Sequence, residues 1–325
     1  MSHERGVGIA VTIDTEEDNW GSYSQYGETT RNIAHLGELQ DLFDKWGARP
    51  TYLVNRAPLV DCDAVEMLGR VAARPGVEIG AHCHPWNTPP YTGAGVEYSM
   101  MGGLSAEVNR GKLQEVGARL ESELGVRPRA FRAGRWGFGA TVAQALALEG
   151  YAIDTSVTPF VDWRDAGGPD YGYAPHEPYR FNPGAPLVPA ERGALLELPT
   201  TVGFLGGDFR RAAKTRRRLE ATPLLRNLVG PIDRLGFIAK RWLSPENSTA
   251  DTMIRLAHSC VAAGQTYLQA TFHSSTLLPG ATPFVRTADD RAEFLHRLDG
   301  FLSWCSRSGF EFLTLSEIEA RLSER

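Results

Sequence analysis

The chain has 325 residues, of which 42% are hydrophobic and 22% charged, an ordinary balance for a globular protein. That length holds one large core or two smaller ones. A formal net charge of -5 excludes a general affinity for nucleic acid, which needs a basic surface, but leaves room for a local basic patch.

The opening Met1-Ser2-His3-Glu4-Arg5-Gly6 leads straight into an apolar run that Asp14 breaks, far short of the roughly 20 residues of a membrane span. No signal-peptide cleavage pattern follows, so the expectation is a cytoplasmic protein with no membrane span. Gly8 to Ile13 reads as a first β-branched strand. Arg31 to Trp46 then places Ile33, Leu36, Leu39, Leu42 and Phe43 at helical spacing. Thr51 to Val54 is a second strand, Asp63 to Ala73 a helix with an acidic first turn, and Val77 to Gly80 a third strand. Ser105 is an N-cap for a long helix that Gly125 stops. Ala130 to Arg132 (strand), Thr141 to Leu148 (helix) and Tyr151 to Thr155 (strand) continue the alternation.

Two stretches interrupt it. Asp165 to Pro189 is dense in Gly, Pro and Tyr and reads as a loop packed by its own aromatics. Gly206 to Glu246 is an insertion carrying Arg210, Arg211, Lys214, Arg216, Arg217 and Arg218, either a solvated helical face or a patch for an acidic substrate such as a phosphate. Leu195 to Leu198, Tyr267 to Phe272 and Phe310 to Leu313 are strands, with helices over Asp251 to Ala263 and Ala288 to Ser306. Alternation of this kind predicts a single α/β domain, a closed or nearly closed (β/α) barrel of about seven parallel strands. No G-x-G-x-x-G follows a strand, which weighs against a dinucleotide fold.

The polar chemistry gathers where predicted strands end, the usual place for catalytic groups in such folds. Asp14, Glu16, Glu17 and Asp18 put four carboxylates in five residues, a repulsive arrangement unless a cation relieves it; the alternative is an acidic solvated turn. His82 and His84 have i, i+2 spacing, so both imidazoles face one side if the strand continues through them. Cys83 lies between them; the other cysteines (Cys62, Cys260, Cys305) are scattered and read as free, mostly buried thiols. Arg132 ends another strand and could hold Asp14 ionised as a base, or form an ordinary ion pair. His273 ends the strand before Ser274 and could protonate a leaving amine.

Taken in order, these segments resemble the polysaccharide deacetylase family, the NodB-homology domain of carbohydrate esterase family 4, and most closely its WalW-like branch. The similarity runs from Val11 to about Leu315. It implies a distorted (β/α) barrel of NodB-homology type that hydrolyses N-acyl groups on a saccharide or sugar-containing intermediate with a divalent metal, here Zn by ligand type. The general-base aspartate of the family matches Asp14. Its metal carboxylate, which in some branches follows two residues later, matches Glu16, with Glu17 as the alternative. The first metal histidine matches His82. The family's second histidine falls at Trp86, which cannot ligate, and His84 is its substitute. Arg132 matches the arginine of the third motif and His273 the general acid of the fifth. Trp86, Trp136, Asp162 and Trp163 are the expected substrate-binding residues. Rival expectations on the same scaffold are a deformylase, an imide or allantoin-type hydrolase, and an inactive carbohydrate-binding relative.

Overall fold

The computed structural model describes residues 6–93, 95–206, 208–222 and 238–324. Its strands are β1 (Gly8–Thr15), β2 (Pro50–Val54), β3 (Glu78–Cys83), β4 (Ala130–Ala133), β5 (Ile153–Asp154), β6 (Tyr179–Phe181), β7 (Leu195–Glu197), β8 (Val202–Phe204), β9 (Lys240–Trp242), β10 (Tyr267–His273) and β11 (Glu311–Phe312). The helices are α1 (Leu36–Trp46), α2 (Cys62–Ala72), α3 (Ala106–Leu124), α4 (Ala140–Leu148), α5 (Phe209–Ala221), α6 (Ala250–Ala262), α7 (Ala288–Arg307) and α8 (Leu315–Ser323). Nine strands form one sheet in the order β10-β1-β2-β3-β4-β5-β7-β6, with β11 pairing the start of β1. Only β6 runs antiparallel in it. β8 and β9 make a separate hairpin.

The sheet curls until its ends nearly meet. Between β7 and β10 the gap is bridged by single bonds: Thr201 N–H donates to Gln269 O at 3.4 Å, Leu243 N–H to Thr201 O at 3.0 Å and Thr271 N–H to Leu243 O at 3.1 Å. The result is the expected distorted barrel, with the hairpin wedged at its seam.

Alternation along each strand sorts side chains to two faces. Ala10, Leu53, Ala130, Ile153, Leu196, Leu198 and Tyr267 gather inside the barrel, and Leu315 and Ile318 of α8 plug its lower end. Val11, Ile13, Tyr52, Val54, Ala81, Phe131 and Ala133 point outward into the core shared with α1 to α4. Each fully buried Val, Ile, Leu or Phe side chain among these contributes about 1.5–3 kcal/mol. Gly80 occupies an inward position where a Cβ would stand 2.7 Å from Leu53 Cδ2 and 3.0 Å from Ala130 O, so only glycine lets the strands approach.

Helix limits follow local chemistry. Ser105 Oγ accepts from Val108 N–H to open α3, and Gly125 closes it at φ 66°. Thr287 and Thr314 form capping boxes at the starts of α7 and α8. No described helix is long and apolar enough to cross a membrane.

The two interrupting stretches hold regular structure. The stretch 165–189 is not only loop: β6 pairs antiparallel with β7, and Asp162 bridges Asp170. Of its aromatics, Tyr171 and Phe181 are fully buried, whereas Tyr173 is exposed. Of the basic insertion, the first half is α5 and the end is β9; residues 223–237 lie outside the described residues.

Candidate active site

β3 runs three residues beyond the predicted Gly80, so His82 lies within the strand and His84 just after it. Both imidazoles turn inward and Cys83 turns out, buried, with its thiol pushed up to about 11 by that burial. Glu16 sits just past the end of β1, two strands away in the sheet. Ligand atoms of Glu16, His82 and His84 all lie within 4.8 Å of one another. His82 Nε2 is 3.0 Å from His84 Nε2, and Glu16 Oε2 stands 3.4 Å from the first and 3.2 Å from the second.

The remaining ring nitrogens decide the tautomers. His82 Nδ1 is 2.9 Å from the Arg132 carbonyl, a pure acceptor, so the proton belongs on Nδ1 and Nε2 keeps its lone pair. His84 Nδ1 lies 2.7 Å from Glu17 Oε1, and Asn55 Nδ2 donates to Glu17 Oε2 at 2.5 Å. Trp86 stacks on the His84 ring with centroids 4.1 Å apart. Behind that ring Gly134 leaves no room for a side chain, because a Cβ would fall 2.4 Å from His84 Cδ2. Two imidazole nitrogens and a carboxylate converging, each imidazole anchored through its far nitrogen, form the donor set of a tetrahedral metal site with an open position. Burial opposes charge on both Glu16 and His84. On Glu16, His273 and the two ligand histidines outweigh that penalty and lower its pKa. On His84, Glu17 and Glu16 push it up to about 10.

Asp14 stands beside this cluster and is held by Arg132 at 2.6 Å. Arg132 is fully buried and uses all its donors. Nε bonds Thr155 O at 2.9 Å, Nη1 bonds Asp14 and Thr271 Oγ1 (2.8 Å), and Nη2 bonds Thr12 Oγ1 (2.9 Å) and Thr155 Oγ1 (3.3 Å). Burial works against the Asp14 charge, but Arg132, His82 and His273 more than offset it and its pKa is lowered. His273 Nε2 is 3.7 Å from Asp14 Oδ2, and its Nδ1 meets Glu246 Oε1 at 3.1 Å. Burial lowers the His273 pKa, yet Glu246, Glu16 and Asp14 together push it up to about 10.

These groups form the floor of a cavity of about 800 Å³ whose walls include Trp20, Tyr23, Trp86, Trp136, Trp163 and Trp242. Trp242 lies 5.7 Å from Trp136 and 6.2 Å from Trp163, ring to ring. Of the expected substrate-binding residues, Trp86, Trp136 and Trp163 line the cavity and Asp162 does not; its carboxylate is tied to Arg164 at 2.6 Å. Arg216, Arg217 and Arg218 are also absent from the walls. Arg216 bonds Glu220 at 2.7 Å, and Arg217 bonds Asp170 at 3.0 Å and covers the Tyr173 ring. The insertion reaches the cavity through its far end instead, with Lys240, Arg241 and Trp242.

Sequence reasoning missed Glu17 as the partner of His84, and Asn55 and Glu246 entirely. Glu17 was at least visible within the acidic cluster. Glu246 carried no signal, since only packing brings it to His273 across the seam.

No family model matches the sequence, and no curated protein matches it. Solved structures do. A proposed polysaccharide deacetylase from Mycobacterium smegmatis superposes with a TM-score of 0.56 at 16% identity, covering 100% of this chain and 93% of that one. A proposed glycoside hydrolase/deacetylase from Parabacteroides distasonis superposes with a TM-score of 0.59 at 10% identity, covering 97% and 70%. The fold is the NodB-type distorted (β/α) barrel. At these identities the likeness carries the fold alone, and the chemistry is argued from the residues.

Proposed function

We propose that the protein is a metal-dependent hydrolase that removes an N-acyl group from a saccharide or sugar conjugate, releasing acetate and a free amine. The observation that carries this reading is the buried convergence of Glu16, His82 and His84 beside the Asp14–Arg132 pair. The sequence resemblance to the WalW-like branch belongs to the same proposal.

Glu16, His82 and His84 would hold the divalent ion, Zn by the nitrogen-rich donor set. When bound, such an ion supplies Lewis-acid polarisation of the acyl carbonyl. Asp14, kept ionised by Arg132, accepts a proton from the attacking water as the water oxygen bonds to the acyl carbon. The Arg132 guanidinium fixes the orientation of that carboxylate through a fully satisfied network and does not itself move a proton. His273, held protonated by Glu246, delivers its proton to the nitrogen as the C–N bond breaks. The tryptophan walls stack on the sugar rings and exclude bulk water.

The test is acetate release from N-acetyl amino sugars by purified protein, with and without a chelator, beside N-formyl and ureido substrates. Chelator-sensitive acetate release is the expected result. Preferential turnover of the formyl or ureido substrates would reassign the reaction to another C–N hydrolase, and absence of both metal and turnover would leave a binding module.

A further inference from the structure

The cavity has two chemically different sides. Asp14, Glu16, Glu17 and Glu246 supply carboxylates at its floor, whereas Arg135, Lys240 and Arg241 line it from the loop after β4 and from β9. Among the described residues, Arg135 and Lys240 meet only neutral acceptors. Arg135 bonds Ser99 Oγ and Ala166 O (3.2 Å) and stacks over the Tyr23 ring at 4.7 Å. Lys240 Nζ bonds Phe160 O at 3.0 Å. Among the described residues, no carboxylate forms an ion pair with either.

Both positions are costly to hold. Arg135 and the adjacent Trp136 adopt φ of 55° and 59°, a left-handed conformation uncommon for residues with a side chain and concentrated at functional sites. Backbone bonds fix it: Gly137 N–H donates to Gly134 O at 3.0 Å, and Tyr171 Oη donates to Trp136 O at 2.7 Å. Burial, then Arg216 and Arg217, pull the Lys240 ammonium below lysine's ordinary pKa, and the pull of Glu220 and Asp162 does not make this up. An anion bound here would relieve that repulsion.

Resting on the catalytic reading above, we infer that the substrate is an N-acyl sugar carrying an anionic substituent, a phosphate or a carboxylate, which Arg135 and Lys240 bind while the neighbouring tryptophans hold the ring. Arginine offers paired hydrogen bonds to either group and lysine a compact charge.

The experiment measures dissociation constants on the full chain, by quenching of the cavity tryptophans, for N-acetylglucosamine, its 6-phosphate and N-acetylmuramic acid at low and high salt. At least one anionic sugar should bind roughly tenfold or more tighter than the neutral one at low salt, with the advantage shrinking as salt rises. Which of the two does so identifies the substituent. Arg135→Gln and Lys240→Gln should each reduce the anionic-to-neutral affinity ratio, and Arg135→Lys, which keeps the charge, should restore part of it. Equal affinity for neutral and anionic sugars, no saturable binding of either anionic sugar, or a preference that survives both glutamine variants overturns the inference. Metal analysis of the same samples separates the two readings. A protein that binds no metal yet prefers anionic sugars sinks the catalytic reading alone. One that hydrolyses N-acyl sugars without that preference sinks this inference alone.

Discussion

Glu17 Oε1 stands 2.7 Å from His84 Nδ1, and Asn55 locks the other Glu17 oxygen. A carboxylate in that place orients the imidazole and raises the basicity of its far nitrogen. Glu17→Ala is therefore expected to weaken Zn binding roughly 10- to 100-fold in a chelator competition, while Glu16→Ala or His82→Ala abolishes it. An unaltered affinity in Glu17→Ala would mean that this contact does not tune the site.

Asp14 and Arg132 should separate catalysis from stability. Asp14→Asn keeps the three metal donors and loses the base, so kcat/KM should fall roughly 100-fold or more with metal content retained. Arg132→Met strands the Asp14 carboxylate in the barrel without its partner, and a loss of about 3–5 kcal/mol is expected in denaturant unfolding. Loss of metal from Asp14→Asn would instead make Asp14 a ligand.

With His273 as the proposed general acid, the basic limb of the pH–activity profile is expected to report its deprotonation. Its pKa is pushed up to about 10, and Glu246 is the strongest of the groups raising it. Removing that anion lowers the imidazole pKa, so in Glu246→Gln the basic limb should move to lower pH. A limb that stays in place would exclude His273 as the titrating acid.

Asp154 and Glu197 make a second pH-sensitive pair, outside the residues that line the cavity. Both are fully buried at the ends of β5 and β7 and stand opposite each other in the β5–β7 pairing. Burial pushes Asp154 up to about 6 although the neighbouring Glu197, Ser156 and Arg132 pull it down, and burial with repulsion from Asp154 pushes Glu197 well above its ordinary range. This pair thus binds more protons in the native state than in the unfolded chain above about pH 4, and its contribution to stability falls as pH rises from there through the raised pKa values. Glu197→Gln keeps an acceptor for Val157 N–H and removes the titrating carboxyl, so its melting temperature should decline less between mildly acidic and neutral pH. An identical decline in parent and variant would place the pH dependence elsewhere.

Lys112 of α3 is buried and donates to the carbonyls of Pro85 (2.8 Å), Thr88 (2.6 Å) and Pro90 (2.7 Å), gathering the loop that carries Trp86. Lys112→Met leaves those acceptors without a donor and is expected to cost about 2–4 kcal/mol of stability by chemical denaturation. A loss within about 0.5 kcal/mol would show that water satisfies the loop instead.

The alternation of strands and helices, the placing of Asp14 and Arg132 at strand ends, and the i, i+2 histidine pair are all legible in the sequence. Each depends on local periodicity, a property of neighbouring residues. The strand of Glu78–Cys83 was seen three residues short because His82 and Cys83 carry no strand preference of their own; ladder bonds to β4 extend it. What lay beyond the sequence is every pairing between distant segments. Glu246 reaches His273, Glu17 turns to His84 rather than to the ligand set, and Lys240 enters the cavity while Arg217 turns away to Asp170. Those outcomes follow from how the barrel seam closes and how buried charges find partners there, and both are decided by packing across the whole fold.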